Sequence, residues 1–132
     1  MFVSGISSVN AISFSETLNL DIWNEIYDMN QYSINEVTFS NYNLKDSYTQ
    51  IKYLDSKFKE SVFQQYLDWK LKKYQVNAIV KEYKNFTYYA NEFFHNLKQT
   101  EYWNTNSEIR YYIWSNYKEL SKSYQRLKNI SK

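Results

Sequence analysis

Few residues of this 132-residue chain have the types and spacing that catalysis needs. His95 is the single histidine, it stands beside Phe93 and Phe94, and there is no cysteine. A zinc-type site needs several nitrogen or sulfur ligands together, so only a carboxylate site stays open. A catalytic triad would need His95 as its base, and no serine has the strand–turn–helix setting of an activated nucleophile. We therefore expect His95 to be a satisfied or solvent-facing side chain, and no metal or other cofactor.

Other chemistries are also excluded by composition. With one glycine, Gly5, the chain cannot build a glycine-rich phosphate loop. Its acidic residues are spread singly, whereas general acid and base catalysis uses positioned pairs. The sequence therefore predicts a non-catalytic protein. Because proline is absent, helices can run with few interruptions, and any turn with positive φ is expected to use Asn or Asp.

Charge is divided unevenly along the chain. Residues 1–56 carry a net charge of −5 and residues 57–132 carry +7, which together give the overall +2. A basic body suggests an anionic partner, although lysine-rich helices are often simply solvated. No run of about 18 apolar residues and no signal peptide is visible, so we expect no membrane association and a cytoplasmic location.

Helical apolar spacing predicts the elements. The clearest stretch is 76–97, where apolar residues recur in steps of three and four, with Asn77 as its N-cap. Four further helices are predicted. The first covers residues 16–29 and is capped by Ser15, and the second covers 57–73, is capped by Asp55 or Ser56 and ends in Lys70, Lys72 and Lys73. The third covers 108–120 and is capped by Ser107, and the last runs from Ser123 onward after a joint at Ser121 and Lys122. Residues 1–14 are expected to be a loose terminus and 15–132 a single domain.

The segments between the helices are less clear. Residues 36–42 fit a short extended piece or an ordered loop pinned by Phe39, and residues 43–55 fit either an early helix start or an irregular insert. In the polar loop after Leu97, Tyr102 and Trp103 are expected to fold back on the core.

Two helix boundaries have a combined pattern. The first runs through Tyr66-Leu67, a polar joint at 75–77, Tyr83, Phe93-Phe94 and Leu97. The second runs through Ile109, Tyr112-Ile113, Leu120-Ser121-Lys122-Ser123 and Arg126-Leu127. In order and spacing this resembles the N-terminal core-binding, SAM-like domain of tyrosine recombinases, the phage integrase family. The lead-in segment of the family is resembled by Asp21-Ile22-Trp23 and Thr38-Phe39-Ser40. Two features differ from the family. Residues 41–55 look longer than its link, and the position after the polar joint, commonly a small or Thr residue, is Ala78 here.

The resemblance implies an all-α, compact bundle of four to five helices that grips double-stranded DNA at a recombination site. The catalytic domain of the family is absent here, so strand exchange would belong to a parent recombinase, together with other recombinase protomers in a bacterial, nucleoid-associated assembly. The residues that the resemblance and their positions indicate for DNA contact are Gln75, Asn77, Lys81, Ser121, Lys122, Ser123, Gln125 and Arg126, with Lys72, Lys73 and Lys84 as second choices for phosphate.

Each of these residues also has a purely structural interpretation. Asn77 and Ser123 could serve only as helix caps, and the lysines could form a solvated face. The alternative function is a small helical regulatory or interaction protein of a phage or mobile element, which would bind another protein through its aromatic surface.

Overall fold

Four long α-helices account for most of the part of the chain that the structure describes. The computed structural model describes the backbone of residues 14–131 and the side chains of residues 20–131. The helices are α1 (Phe14–Met29), α2 (Tyr42–Leu67), α3 (Lys73–Gln99) and α4 (Ser107–Ile130), and no strand occurs in this range. The all-α prediction is confirmed. The expected loose terminus lies outside the described residues, apart from Phe14, which begins α1.

α3 is the central helix, as its apolar spacing predicts. α4 packs along it more extensively than any other pair of helices, and α1 packs on another side. Its inward residues Val76, Ile79, Tyr83, Ala90 and Phe94 are fully buried.

α2 stands farther from α3, because aromatic rings separate the two backbones. Phe58 of α2 stacks on Tyr83 with ring centroids 5.8 Å apart, and Tyr48 meets Phe94 edge-on at 4.9 Å. Rings of this size fill the core but keep the helices apart, which leaves a hollow between α2 and α4 on the surface.

The segment after α1 is an ordered loop, one of the two interpretations that the sequence left open. Phe39 is buried against Tyr48 and Phe94. The Tyr48 hydroxyl donates to the Asn35 carbonyl at 2.7 Å, and Asn91 of α3 accepts from the Asn35 amide at 2.7 Å. The following segment is helical from Tyr42, so of the two alternatives for residues 43–55 the early helix is the observed one.

α2 ends six residues earlier than the sequence predicts, at Leu67. Trp69 has a φ of 58°, and the amides of Trp69 and Lys70 bond back to the carbonyls of Tyr66 and Gln65. This pattern closes a helix with a left-handed residue, usually glycine. The expectation that Asn or Asp would fill such turns was wrong. The predicted run of lysines at the helix end is also wrong, because Lys70 and Lys72 lie in the joint and Lys73 opens α3.

The other predicted caps are also misplaced. α1 begins before Ser15, and α2 begins after Asn41, whose side chain accepts from the Leu44 amide, so neither Asp55 nor Ser56 is a cap. α4 is capped by Asn106, whose side chain accepts from the Ile109 amide at 2.9 Å, so Ser107 is the first helical residue. Tyr102 and Trp103 are exposed and do not fold back on the core.

Candidate nucleic-acid interface

The candidate site depends on how α3 and α4 meet at Glu82. Arg126 donates to both Glu82 oxygens, from Nε at 2.6 Å and from Nη2 at 3.1 Å. The Ser123 hydroxyl donates to Glu82 Oε2 at 2.7 Å. Burial would raise the pKa of Glu82, but the hydrogen bonds from Arg126 and Ser123 hold it below its ordinary value. Glu82 is therefore a carboxylate at neutral pH, and this two-point contact fixes α4 against α3.

Predicted residues of both helices are exposed near the Glu82 contact in sequence, which helix spacing interprets as one surface. Lys81 precedes Glu82 and is exposed, and Asn77 is exposed one turn earlier on the same side of α3. Lys122 is exposed one turn before Arg126 on α4. We call the surface formed by Asn77, Lys81, Lys122 and Arg126 the α3–α4 face.

The cations of the α3–α4 face differ in how strongly they are already engaged. Arg126 uses two of its five N–H donors on Glu82, so three remain for a phosphate. Lys122 lies 3.7 Å from Glu119 in an exposed i,i+3 pair, which is weak. Lys81 forms no ion pair with any described residue, so its ammonium can meet an anion without losing a partner.

The predicted joint at Ser121 and Lys122 does not exist. α4 runs unbroken from Ser107 to Ile130, because Leu120, Tyr124 and Leu127 continue one apolar stripe through the serines. Ser123 is fully buried and binds Glu82, so it neither caps a helix nor reaches DNA. The prediction that Ser123 opens a final helix was wrong.

The first predicted joint is also displaced, to residues 68–72. α3 already includes Gln75 and Asn77, and its N-cap is Lys72 rather than Asn77. The Gln75 side chain accepts from the Lys72 amide at 3.1 Å, so Gln75 closes the helix start instead of facing a partner.

The remaining candidates contact other side chains of the chain or lie outside the α3–α4 face. Lys73 pairs with Asp21 of α1 at 3.2 Å, and the Lys84 ammonium lies 5.6 Å from the Tyr32 ring centroid. Both contacts turn these lysines toward the acidic N-terminal part of the chain. Gln125 is exposed and donates to Asn129 at 3.4 Å, and exposed Ser121 lines the hollow between α2 and α4.

A second polar cluster, around Glu101, was not anticipated from the sequence. Its carboxylate accepts from the Asn41 amide at 2.7 Å and from the Ser40 amide at 2.9 Å, and Lys98 pairs with it at 3.0 Å. The Asn41 and Ser40 amides hold the pKa of Glu101 below its ordinary value. The loop after α3 thus occupies the start of α2, where free amides could otherwise attract a phosphate.

Side chains that could bind a metal ion are not grouped together in the described residues. Between residues 20 and 131 no group of three or more His, Asp or Glu side chains could hold a metal ion. His95 is exposed, at the edge of a shallow polar pocket with Asn91 and Lys98. No described helix is long and apolar enough to cross a membrane.

The residue that sequence reasoning missed is Glu82. It lies three residues after Ile79 and four before Phe86, which places it at the border of the apolar stripe of α3. An acid at such a border packs against a neighbouring helix, and Arg126 offers a partner. Spacing alone could have identified Glu82 as a contact residue, but its partner required the structure.

Comparisons with protein families, with curated proteins and with solved structures found no match.

Proposed function

We propose that this chain is a duplex-DNA-binding domain of a tyrosine-type recombinase, with a SAM-like arrangement of its helices and no catalytic residues of its own. What supports DNA binding is the Arg126–Glu82 contact, with exposed Lys81 next to Glu82 in sequence and exposed Lys122 one turn before Arg126. The recombinase assignment rests on the motif resemblance.

The α3–α4 face meets the phosphate backbone in this proposal. Glu82 holds the Arg126 guanidinium in one orientation, so its free donors are preorganised for a phosphate oxygen. Lys81 and Lys122 add charge on either side, and the Asn77 amide can bond a phosphate or a base edge. Few cations take part, so a single domain binds weakly and depends on the other protomers and domains of the assembly for tight binding.

Salt dependence tests the phosphate contacts. We expect fluorescence anisotropy with a labelled duplex to show a linear fall of log affinity with log salt. Six phosphate contacts would lose on the order of 10³-fold between 50 and 200 mM salt, and three contacts correspondingly less.

A matched pair of double charge reversals tests the location. Lys81→Glu with Lys122→Glu should weaken duplex binding by roughly 10- to 100-fold and reduce the salt slope by about two. The control is Lys45→Glu with Lys57→Glu on α2. Lys57 resembles Lys122 because each lies in an exposed i,i+3 ion pair, at 3.5 and 3.7 Å. Equal losses from both pairs would contradict the α3–α4 face as the binding surface.

The alternative function, a helical interaction protein, is favoured by a different surface. Large apolar side chains are exposed where α1 and α2 lie together, namely Leu20, Trp23, Tyr27, Phe63 and Leu67. Contiguous exposed apolar surface of this kind marks protein-binding sites. A chain that binds no duplex at low salt, yet associates with protein through this surface, would favour the alternative.

A further inference from the structure

Exposed aromatic rings and lysines follow one another along the outer side of α4. Tyr111, Trp114, Lys118 and Lys122 recur in steps of three and four residues, which places them on one side of the helix. All four are exposed, Tyr111 by 57% and Trp114 by 59%. We call these four residues the α4 outer strip. Because Lys122 also belongs to the α3–α4 face, the strip continues that face toward the start of α4.

The Trp114 ring lies beside a cation and outside the core. The Lys118 ammonium is 5.0 Å from the Trp114 ring centroid. Within the described residues Lys118 forms no ion pair, and no other ring lies against Trp114. Proteins that bind single-stranded nucleic acid use this combination, because a ring stacks on a base while a neighbouring cation meets the phosphate.

The charge of α4 favours an anionic partner. The helix has a net charge of +3, from five basic and two acidic residues. Of the acidic residues, Glu108 lies in the first turn and Glu119 pairs with Lys122 at 3.7 Å. The Glu119 contact is an exposed i,i+3 pair of little strength, so a phosphate can replace it. A helix with this charge matches a nucleic-acid strand better than an apolar protein surface.

The form of the nucleic acid follows from the exposed rings. In a duplex the bases stack on one another, and only their edges are open in the grooves. An exposed side-chain ring therefore finds no base face in an intact duplex, whereas an unpaired base offers one. Lysines meet the phosphates of both forms. Rings that adjoin a phosphate-binding face thus suit the point where a duplex ends and a single strand begins.

We propose that the α4 outer strip binds an unpaired DNA strand that continues from a duplex held on the α3–α4 face. Trp114 and Tyr111 stack on its bases, and Lys118 meets its phosphates. This binding mode rests on the proposed function, because the duplex occupies the face that shares Lys122 with the strip. Stacking tolerates every base, so the strip recognises an unpaired strand and not a sequence.

Three labelled DNA probes test the stacking. They are a blunt duplex, the same duplex with a short single-stranded overhang of thymidines, and the same duplex with an abasic overhang of equal length. In fluorescence anisotropy at about 50 mM salt, the thymidine overhang should raise affinity roughly tenfold or more over the blunt duplex. The abasic overhang keeps the phosphates without the bases, so most of this gain should be lost. Equal affinity for the two overhangs would overturn the proposal, because phosphates alone would then explain the gain.

A substitution of Trp114 locates the stacking. Trp114→Ala should weaken binding of the thymidine overhang by roughly 5- to 100-fold and leave the blunt duplex within about twofold of wild type. Trp114→Phe keeps a ring and should retain most of the affinity. Trp114 is exposed, so both variants should fold, which circular dichroism checks.

Tyr53→Ala is the matched control on another helix. Tyr53 of α2 is also 59% exposed, and the Lys57 ammonium lies 5.6 Å from its ring centroid. This variant should bind all three probes like the wild type. A loss as large as that of Trp114→Ala would overturn the proposal. So would a Trp114→Ala variant that weakens the blunt duplex as much as the overhang.

The probes also separate this proposal from the proposed function. If the blunt duplex binds and the thymidine overhang adds nothing, the strip does not bind an unpaired strand, and duplex binding stands. If the overhang probe binds through Trp114 and the blunt duplex does not bind, the proposed duplex binding is wrong, and stacking on the unpaired strand stands. Binding of neither probe overturns both.

Discussion

Glu82 and Asp55 are two carboxylates with nearly equal burial and opposite environments. Their side chains are 12% and 10% exposed. Glu82 accepts from Arg126 and Ser123, and its pKa lies below the ordinary value. Burial raises the pKa of Asp55, and Lys59 and Lys52 offset this only in part.

The difference lies in hydrogen bonding. Within the described residues Asp55 Oδ1 has no hydrogen-bond partner, and Oδ2 lies 3.9 Å from the Lys59 ammonium. Lys59 donates instead to the Tyr32 carbonyl at 2.8 Å. A charge removed from water is tolerated only when hydrogen bonds replace its hydration, and Asp55 lacks them.

Polar groups specify the contact between α3 and α4, but not the contact between α2 and α3. α3 and α4 are fixed relative to each other by the bidentate Glu82–Arg126 contact and by Ser123, so a shift of α4 would break several bonds at once. α2 is held to α3 chiefly by rings, which tolerate small shifts and leave Asp55 unsatisfied. We therefore expect substitutions at the α3–α4 contact to destabilise the fold and removal of unsatisfied groups near α2 to stabilise it.

The largest effect is expected at Ser123, where α4 packs on α3. Ser123 is fully buried, so Ser123→Leu would force the helices apart and remove a donor to Glu82. We expect the free energy of unfolding, measured by urea denaturation, to fall by about 2–3 kcal/mol. Ser121→Leu, an exposed position on the same helix, should change it by less than about 0.5 kcal/mol. Similar losses for both would show that α4 is not fixed at Ser123.

The Glu82 network should be the next largest contribution. Glu82→Gln keeps the shape but weakens the charged hydrogen bonds, and we expect a loss of about 1–2 kcal/mol at pH 7. Because the native pKa is lowered, this contribution is present at neutral pH and lost as the pH falls through the native titration of Glu82. The difference between variant and wild type should therefore shrink on acidification. Glu119→Gln, in an exposed pair with Lys122, serves as the control, with an effect under about 0.5 kcal/mol.

The sequence predicted the helices well where apolar spacing was long and regular. α3 was identified from its inward stripe, and the loop pinned by Phe39 was one of the two alternatives left open for residues 36–42. The ends were misplaced where a rare conformation decides them, as at Trp69, because a tryptophan carries no signal for a left-handed turn. The false joint at Ser121 arose from reading two serines and a lysine as a break, although the apolar period continued across them.

The candidate site was only partly predictable. Lys81, Lys122 and Arg126 could be chosen because helix spacing shows which residues face outward. Whether a chosen residue is free depends on contacts between distant parts of the chain, and the sequence does not encode these locally. Ser123 shows this clearly. A small hydroxyl side chain is typical of a helix cap, and the same side chain also fits between two helices and donates to Glu82.

Removing the charge of Asp55 should stabilise the protein. Asp55→Asn avoids burying an incompletely bonded carboxylate, and we expect a gain of about 1 kcal/mol at pH 7. Because the native pKa is raised, the folded wild type loses stability as the pH rises through the native titration of Asp55. The gain of the variant should therefore vanish at acid pH, where both side chains are neutral. Asp46→Asn, at an exposed position of α2, should be neutral, and an equal gain there would indicate a general charge effect.

The smallest effect is expected at Tyr83, whose hydroxyl is buried without a hydrogen-bond partner in the described part of the chain. Tyr83→Phe keeps the stacking on Phe58 and removes a desolvated polar group, so we expect a gain of about 0.5 kcal/mol in urea denaturation. Its counterpart is Tyr48→Phe, because the Tyr48 hydroxyl donates to Asn35 and accepts from the Val37 amide. The same chemical change should there cost about 1 kcal/mol. Stability changes of opposite sign would show that the two sites differ in the hydrogen bonding of the hydroxyl and not in ring packing. A loss of stability at both sites would mean that the Tyr83 hydroxyl has a hydrogen-bond partner in solution.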